Sequence, residues 1–350
     1  MSVYWLHRVV GLAALCGVEA GGLGCTQPRP DEDPPAPIPA RPPDGPSCDR
    51  APSCGAVGDA ASCCESLWVP GGTFQMGFST DEVIRPAELR EEDREHRVTL
   101  SGYFLDRFEI TWSRLEAYAD QYAGPPAPGS GARPGLQTSG WDPAWDPELP
   151  TSGEELLVRA RSLGTSVVPG SAGDGEGQGS SGPARREGEL AADGLSWFVA
   201  FAFCIWDGAR LPTEAEWENA AAGGVRNSPY PWGADPTPVA ALRTAPAAPV
   251  GSHSELRGYF GQDDLGGGVI EWAFDWFSEG YYLESGRGCV DCANTEEGIA
   301  RVVRGATDSS CCSGDLDTSY RAAARSGRAP GVALLGVGAR CARDVPDSTR

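Results

Sequence analysis

The apolar positions of this chain change period several times, and each change marks an element. Residues 96–110 alternate, with Val98, Leu100, Tyr103 and Leu105 set between polar neighbours, so one or two strands are expected there. Upstream, Trp68-Val69-Pro70-Gly71-Gly72 reads as a turn that runs into a short alternating strand, Thr73-Phe74-Gln75-Met76-Gly77. The period then lengthens. Thr111 is placed to cap a helix through Leu115 and Tyr118, with Glu116 and Asp120 outside. Ser196 caps a second helix through Trp197, Phe201, Cys204 and Ile205, which is apolar nearly all round and therefore buried, and Gly208 ends it. Pro212 and Thr213 open a third. Thr213 is its N-cap, Glu214 and Glu216 favour the positive end of the helix dipole, Gly223-Gly224 stops it, and Trp217 is a core residue.

Between these elements the pattern weakens. Residues 123–192 form an insertion bounded by Gly-Ser-Pro clusters, with another such cluster over 169–183. Inside it, Trp141-Asp142-Pro143-Ala144-Trp145-Asp146 precedes a helical stretch over 153–163. An insertion of this length is either a specificity loop or inert filler. With 47 glycines and 30 prolines in 350 residues, much of the chain cannot be regular helix or strand, so a loop-rich fold is expected, and the length suits one large or two ordinary domains.

Charge and cysteine usage narrow the class. A net charge of −21, with no basic stripe, argues against nucleic acid as a partner. Twelve cysteines beside two methionines point to an oxidising compartment. Residues 1–24 agree: a basic start at His7 and Arg8, an apolar stretch over 9–18 too short to span a membrane, then small residues, as in a secretory signal peptide. Gly22-Leu23-Gly24-Cys25 has the form of a bacterial lipoprotein processing box, which leaves Cys25 acylated; plain secretion is the alternative. Residues 25–47 are a proline-rich tether, and Cys48, Cys54, Cys63 and Cys64 crowd into a segment over 48–67 that reads as a disulfide knot, with zinc as the alternative. The localisation expected is the bacterial cell envelope.

A set of linked motifs covers the second half. Leu211-Pro212-Thr213-Glu214-Ala215-Glu216-Trp217-Glu218 is followed by Tyr230-Pro231-Trp232-Gly233, Gly267-Gly268-Val269-Ile270-Glu271-Trp272, Arg304-Gly305-Ala306 and Gly338-Ala339-Arg340-Cys341. In this order and at these distances they resemble the formylglycine-generating enzyme family, also called sulfatase-modifying factors. The resemblance covers residues 68–345 and implies a loop-rich single α+β domain, a disulfide-stabilised variant of the C-type lectin fold. It also implies a bridge between Cys204 and Cys341. The second bridge of eukaryotic members falls on Ala221 and Ala322, and the joint loss of both cysteines is what a disulfide predicts.

The resemblance further implies one calcium site, with Asp264 and Glu271 binding by side chain and Gly267 and Val269 by carbonyl oxygen. The usual Asn and Trp of that loop stand here as Gly268 and Ile270. The alternative is that Glu271 pairs with an arginine of the C-terminal segment. The family's other calcium loop is not recognisable between Pro236 and Pro249.

Active members hold copper through two cysteines that follow an Arg-Gly-Gly-Ser motif, since paired thiolates select Cu(I). Here that motif reads Arg304-Gly305-Ala306-Thr307, so Thr307 takes the place of the active-site serine. Counting back from Tyr320-Arg321 puts the first copper cysteine on Cys312 and the second on Asp317; counting forward from Arg304 puts the first on Ser310. What remains is the adjacent pair Cys311 and Cys312, which lacks the five-residue separation of the copper site. Setting aside Cys16 and Cys25 leaves ten cysteines, and disulfides from Cys289 and Cys292 to Cys311 and Cys312 would give every one a partner.

The three-histidine iron site of the related sulfoxide synthases is excluded, because only His96 and His253 lie beyond the signal peptide. Arg321, Arg325 and Arg340 read as structural or anion-contacting residues. Two functions follow. If the chain is an enzyme, it oxidises a sulfatase cysteine to formylglycine with copper, using Cys312, Cys311 and Thr307. If not, it is an envelope module that recognises a peptide, protein or glycan on a lectin-like surface, or an accessory subunit of an active relative.

Overall fold

The computed structural model describes residues 38–49, 53–56, 61–78, 94–164, 189–242, 247–284, 286–305 and 319–346. The expected signal peptide, Cys25 and the expected tether up to residue 37 lie outside them. One compact unit spans Pro39–Arg350. Among the described residues no helix is long and apolar enough to cross a membrane.

Five helices are described: α1 (Trp112–Asp120), α2 (Gly153–Gly164), α3 (Trp197–Trp206), α4 (Glu214–Ala222) and the short α5 (Pro238–Leu242). The first, third and fourth start where their caps predict. Thr111 accepts a bond from the Arg114 amide and Ser196 from the Val199 amide. At α4 the capping is reciprocal: Thr213 Oγ1 accepts from the Glu216 amide while Glu216 Oε2 accepts from the Thr213 amide, and Gly223 closes the helix in the left-handed conformation.

The strands are β1 (Ser53–Cys54), β2 (Ala61–Ser62), β3 (Ser66–Val69), β4 (Gly72–Met76), β5 (His96–Leu100), β6 (Tyr103–Asp106), β7 (Ile270–Trp276), β8 (Arg301–Arg304), β9 (Arg325–Arg328), β10 (Val337–Gly338) and β11 (Ala342–Arg343). They form a four-stranded sheet ordered β10-β7-β8-β9, a three-stranded sheet β11-β6-β3 and two hairpins, β1-β2 and β4-β5. In the β4-β5 hairpin Phe74 faces Val98 across the pair, which matches the alternation read from the sequence.

Strand β7 organises the interior. It is buried along its whole length, and its two faces carry different chemistry. Ile270, Trp272 and Phe274 join α3 in an aromatic core, where the Trp197 indole donates to Ala273 O and the Trp272 indole to Leu195 O. Glu271 and Asp275 face α4 instead, the first accepting from the Trp217 indole and the second from the Glu214 amide. The insertion contributes to this core rather than lying outside it. Trp145 packs edge-on to Trp197 at 5.2 Å between ring centroids, Trp141 is buried against Phe201, and α2 buries Leu156 and Ala160. Residues 165–188 of the insertion lie outside the described set.

The cysteine-rich segment is likewise built into the domain. It is closed by Cys48–Cys64 and Cys54–Cys63 bridges. Ser47 is fully buried, its amide donating to Asp207 and its hydroxyl accepting from Arg114 Nε. Arg114 and Arg343 each bond both Asp106 and Asp207, so two buried acids and two buried arginines neutralise one another where α1, α3, β6 and β11 meet. Cys204 on α3 bridges to Cys341, between β10 and β11, across 137 residues of chain. Ala221 and Ala322 fall in one buried cluster, as the alignment of the second family bridge requires.

Candidate functional site

The segment that carries Thr307, Ser310, Cys311, Cys312 and Asp317 lies outside the described residues, so the site is defined by the frame that holds its two ends. The first end is Arg304, the last residue of β8. Its guanidinium is fully buried and donates to Glu214 Oε1 at 3.0 Å, to Glu218 Oε2 at 2.5 Å and to Ala322 O at 2.7 Å. Gly305 then turns the chain with φ +81. The second end is Tyr320-Arg321-Ala322. The Ala322 amide donates to Pro229 O, and Arg321 lies over the Tyr230 ring, which is itself stacked on Trp232 at 5.2 Å. Both ends are therefore anchored on α4 and on the Tyr230-Pro231-Trp232 turn.

Glu214 is the hub of this frame. Its carboxylate takes two bonds from Arg325, one from Arg304 and one from the Tyr282 hydroxyl. Burial alone would raise its pKa, but Arg325 and Arg304 outweigh burial and hold it below the usual carboxylate value. Neighbouring Asp275 shows the opposite outcome. Burial first, then the negative charge of Glu214, push it up to about 7. Arg325 thus serves as a structural counterion rather than an open anion contact.

The loop for which calcium is expected, residues 264–271, lies wholly within the described residues. Asp264 sits in the left-handed region at φ +62, and its carboxylate accepts from the Gly251 amide. Glu271, however, is already committed. Arg340 binds both of its oxygens, Trp217 Nε1 adds a bond at 2.8 Å, and the side chain is 1 % exposed. An acid neutralised in this way is a weak cation ligand, so the set of Asp264, Gly267, Val269 and Glu271 fits calcium only in part. Sequence reasoning missed a further acid beside the loop. Glu109 follows β6, is 1 % exposed and accepts from the Val269 amide through Oε1. The available signal was an acid set between two apolar residues, Phe108 and Ile110. Among the described residues, no group of three or more His, Cys, Asp or Glu side chains is arranged to hold a metal.

One expected pairing is corrected. Cys289 and Cys292 bridge to each other across a turn, with Cα atoms 5.6 Å apart, and not to Cys311 and Cys312. The reason is local: Asp291 adopts φ +53, and the turn is clamped when Thr99 donates to Cys289 O and accepts from the Asp291 amide. His96 begins β5 with its ring 4.6 Å from Tyr282, and His253 is exposed beside Glu255.

An α+β domain of this kind, with few long strands, two capped helices against a mixed sheet and a bridge from α3 to the C-terminal segment, is of the sulfatase-modifying-factor type, a variant C-type lectin fold. The family model described as "Sulfatase-modifying factor enzyme 1-like domain" matches residues 55–345. The formylglycine-generating enzyme of Thermomonospora curvata is 31% identical over 299 residues, spanning 79% of this chain and 92% of that protein. A bovine relative named inactive C-alpha-formylglycine-generating enzyme 2 is 26% identical, spanning 78% of this chain and 86% of that protein. Among solved structures, PvdO from Pseudomonas aeruginosa aligns with a TM-score of 0.51 at 22% identity, covering 81% of this chain and 96% of PvdO. The chain belongs to the formylglycine-generating enzyme (sulfatase-modifying factor) family.

Proposed function

We propose that the protein works in the bacterial envelope, anchored through Cys25 or secreted, as a sulfatase-modifying-factor domain that recognises a cysteine-bearing polypeptide of the sulfatase type without carrying out the copper oxidation of active members. Kinship supports the polypeptide partner. The observation that carries the loss of chemistry is the position of Asp317, where counting back from Tyr320-Arg321 calls for the second copper thiolate. A carboxylate is a hard ligand, and one thiolate beside it does not make the soft pair that selects Cu(I). The bovine relative's name is consistent with a family member that keeps the domain without the activity.

One observation favours the oxidase reading. Among the described residues four bridges join eight of the ten cysteines beyond Cys16 and Cys25, and Cys289 and Cys292, the partners expected for Cys311 and Cys312, are joined to each other. In that reading Cys312, with Cys311, would hold copper, and Thr307 would help bind the oxygen that converts a substrate cysteine to formylglycine. The calcium expectation also stands as a proposal: the 264–271 loop binds one Ca²⁺ that stiffens the turn ahead of β7.

Fluorescence anisotropy with a labelled sulfatase-derived cysteine peptide tests the recognition reading. Saturable binding that persists in Cys311→Ser/Cys312→Ser protein is expected. Absence of binding by the intact chain would overturn it.

A further inference from the structure

Two cysteines separated by two residues and joined to each other form a redox pair wherever a thiol can reach them. Cys289–Cys292 meets that condition. Cys289 is half-buried, and Arg287, Gly288 and Val290 around it are exposed, whereas Cys54, Cys63, Cys204 and Cys341 are at most 1 % exposed. Cys292 is buried, so an incoming thiolate meets the Cys289 sulfur first. A bridge between residues only three apart restrains the open chain little, so opening it costs the fold little. Among the described residues no helix starts at either cysteine, so neither sulfur has the helix dipole that activates catalytic Cys-x-x-Cys thiols. The pair is suited to be a substrate of exchange, not its catalyst.

The bridge closes a turn to which two other segments are fastened. Asp291 stands at φ +53, where a residue other than glycine stays only when its surroundings hold it. In that position Oδ1 accepts from the Ser101 amide at 2.6 Å and from Arg133 Nη2 at 2.6 Å, and Oδ2 accepts from the Ser101 hydroxyl at 2.7 Å. Ser101 directly follows β5, and Arg133 belongs to the insertion. The Arg133 side chain is buried, with Nε donating to Glu216 Oε1 on α4 at 3.1 Å. Its backbone is tied into the insertion as well: its amide donates to Ser139 Oγ and its carbonyl accepts from the Leu136 amide. One carboxylate therefore clasps the insertion to the end of β5, and the disulfide holds that carboxylate in place.

We propose that Cys289–Cys292 is a thiol–disulfide exchange site for a protein dithiol, and that its reduction unlatches residues 129–141 of the insertion from the end of β5. A thiolate of the dithiol attacks Cys289 Sγ, the bond to Cys292 breaks, and Cys292 leaves as a thiolate and takes a proton. The second thiol of the partner then displaces Cys289 from the mixed disulfide, and Cys289 is protonated in turn. Two electrons and two protons pass to this chain, and the partner departs as a disulfide. With the bridge open, Asp291 relaxes to negative φ, and its carboxylate withdraws from Ser101 and Arg133. Arg133 keeps Glu216 but loses its second acid.

Graded dithiothreitol as the dithiol probe, followed by alkylation and amide hydrogen exchange on the full-length protein, tests it. Cys289 and Cys292 are expected to be labelled while Cys204–Cys341 stays closed. Amides at 101 and across 129–141 should then exchange about tenfold faster than in the oxidised protein, the effect of losing a charge-assisted hydrogen bond, and reoxidation should restore their protection. Cys289→Ser/Cys292→Ser should show the faster exchange without reductant and no further change across 129–141 when it is added. Asp291→Asn, which keeps the bridge, should quicken exchange across 129–141 with no thiol labelled. If the double serine variant fails to fold, the dithiothreitol series on wild type and Asp291→Asn decide the matter. Labelling of Cys289 and Cys292 only together with Cys204 and Cys341 would overturn the exchange site. Exchange across 129–141 within a factor of about two of the oxidised protein, once Cys289 and Cys292 are reduced, would overturn the latch.

Discussion

Arg340 grips both oxygens of Glu271, with Nε 2.8 Å from Oε2 and Nη2 2.7 Å from Oε1. Its remaining donors go to the carbonyls of Asp106, Arg107 and Asp263, so one guanidinium ties β7 to the end of β6 and to the loop that precedes β7. A lysine cannot reproduce that planar fork. Arg340→Lys keeps the charge but leaves buried carbonyls without donors, so it should destabilise the fold by about 1–3 kcal/mol, as read by urea unfolding. A loss under about 1 kcal/mol would show that the fork is replaceable.

Two buried acids give stability opposite dependences on pH. Asp275 titrates at about 7 when folded against 3.8 when unfolded, so between those values the folded chain holds a proton the unfolded chain has lost. Its contribution is greatest below about pH 4 and is lost as the pH rises towards 7. Glu216 behaves in the other sense. Burial opposes its ionisation, yet Arg210 and Arg133 hold its pKa at about 2 against 4.5, so its contribution is present above pH 4.5 and lost as the pH falls towards 2. Unfolding free energies measured from pH 3 to 8 should show a decline on the neutral side that Asp275→Asn flattens. An unchanged slope in that variant would assign the decline to other groups.

The paired alanines invite a direct test of the alignment. Ala221→Cys with Ala322→Cys should close a fifth bridge, seen as a loss of two hydrogens in the intact mass and as resistance to alkylation. Two free thiols in the folded double variant would show that the family's second bridge does not map here. Replacing Cys204 and Cys341 together by alanine should cost about 2–5 kcal/mol, given the long loop that this bridge closes.

The Cys289–Cys292 bridge closes the shortest loop of the four, three residues apart, and sits on a turn whose Val290 is exposed. Chain entropy protects it least. Graded dithiothreitol followed by alkylation should label Cys289 and Cys292 before Cys204 and Cys341. Simultaneous labelling would mean that global unfolding, rather than local access, controls reduction.

Much of the frame was legible because its signals are local. Thr111, Ser196 and Thr213 announced α1, α3 and α4, and the alternation around Val98 announced β5. Strand β7 was not legible as a buried strand. Its Glu271 and Asp275 interrupt the apolar pattern, and the groups that make their burial tolerable lie elsewhere in the sequence: Arg340 for Glu271, the C-terminal arginine named as the alternative to calcium, and the Glu214 and Asn294 amides for Asp275. Glu109 escaped for the same reason, since only the fold brings it under Gly268. The Cys289–Cys292 bridge escaped because pairing was argued by counting partners, whereas a left-handed Asp291 settles it locally.

The most direct measurement is the mass of a sulfatase-derived cysteine peptide after incubation with the full-length protein, Cu(I) and oxygen. The account predicts that the peptide binds and is recovered with its cysteine intact. Formylglycine in the recovered peptide, abolished by Cys312→Ser, would contradict it and establish Cys311-Cys312 as a working copper site.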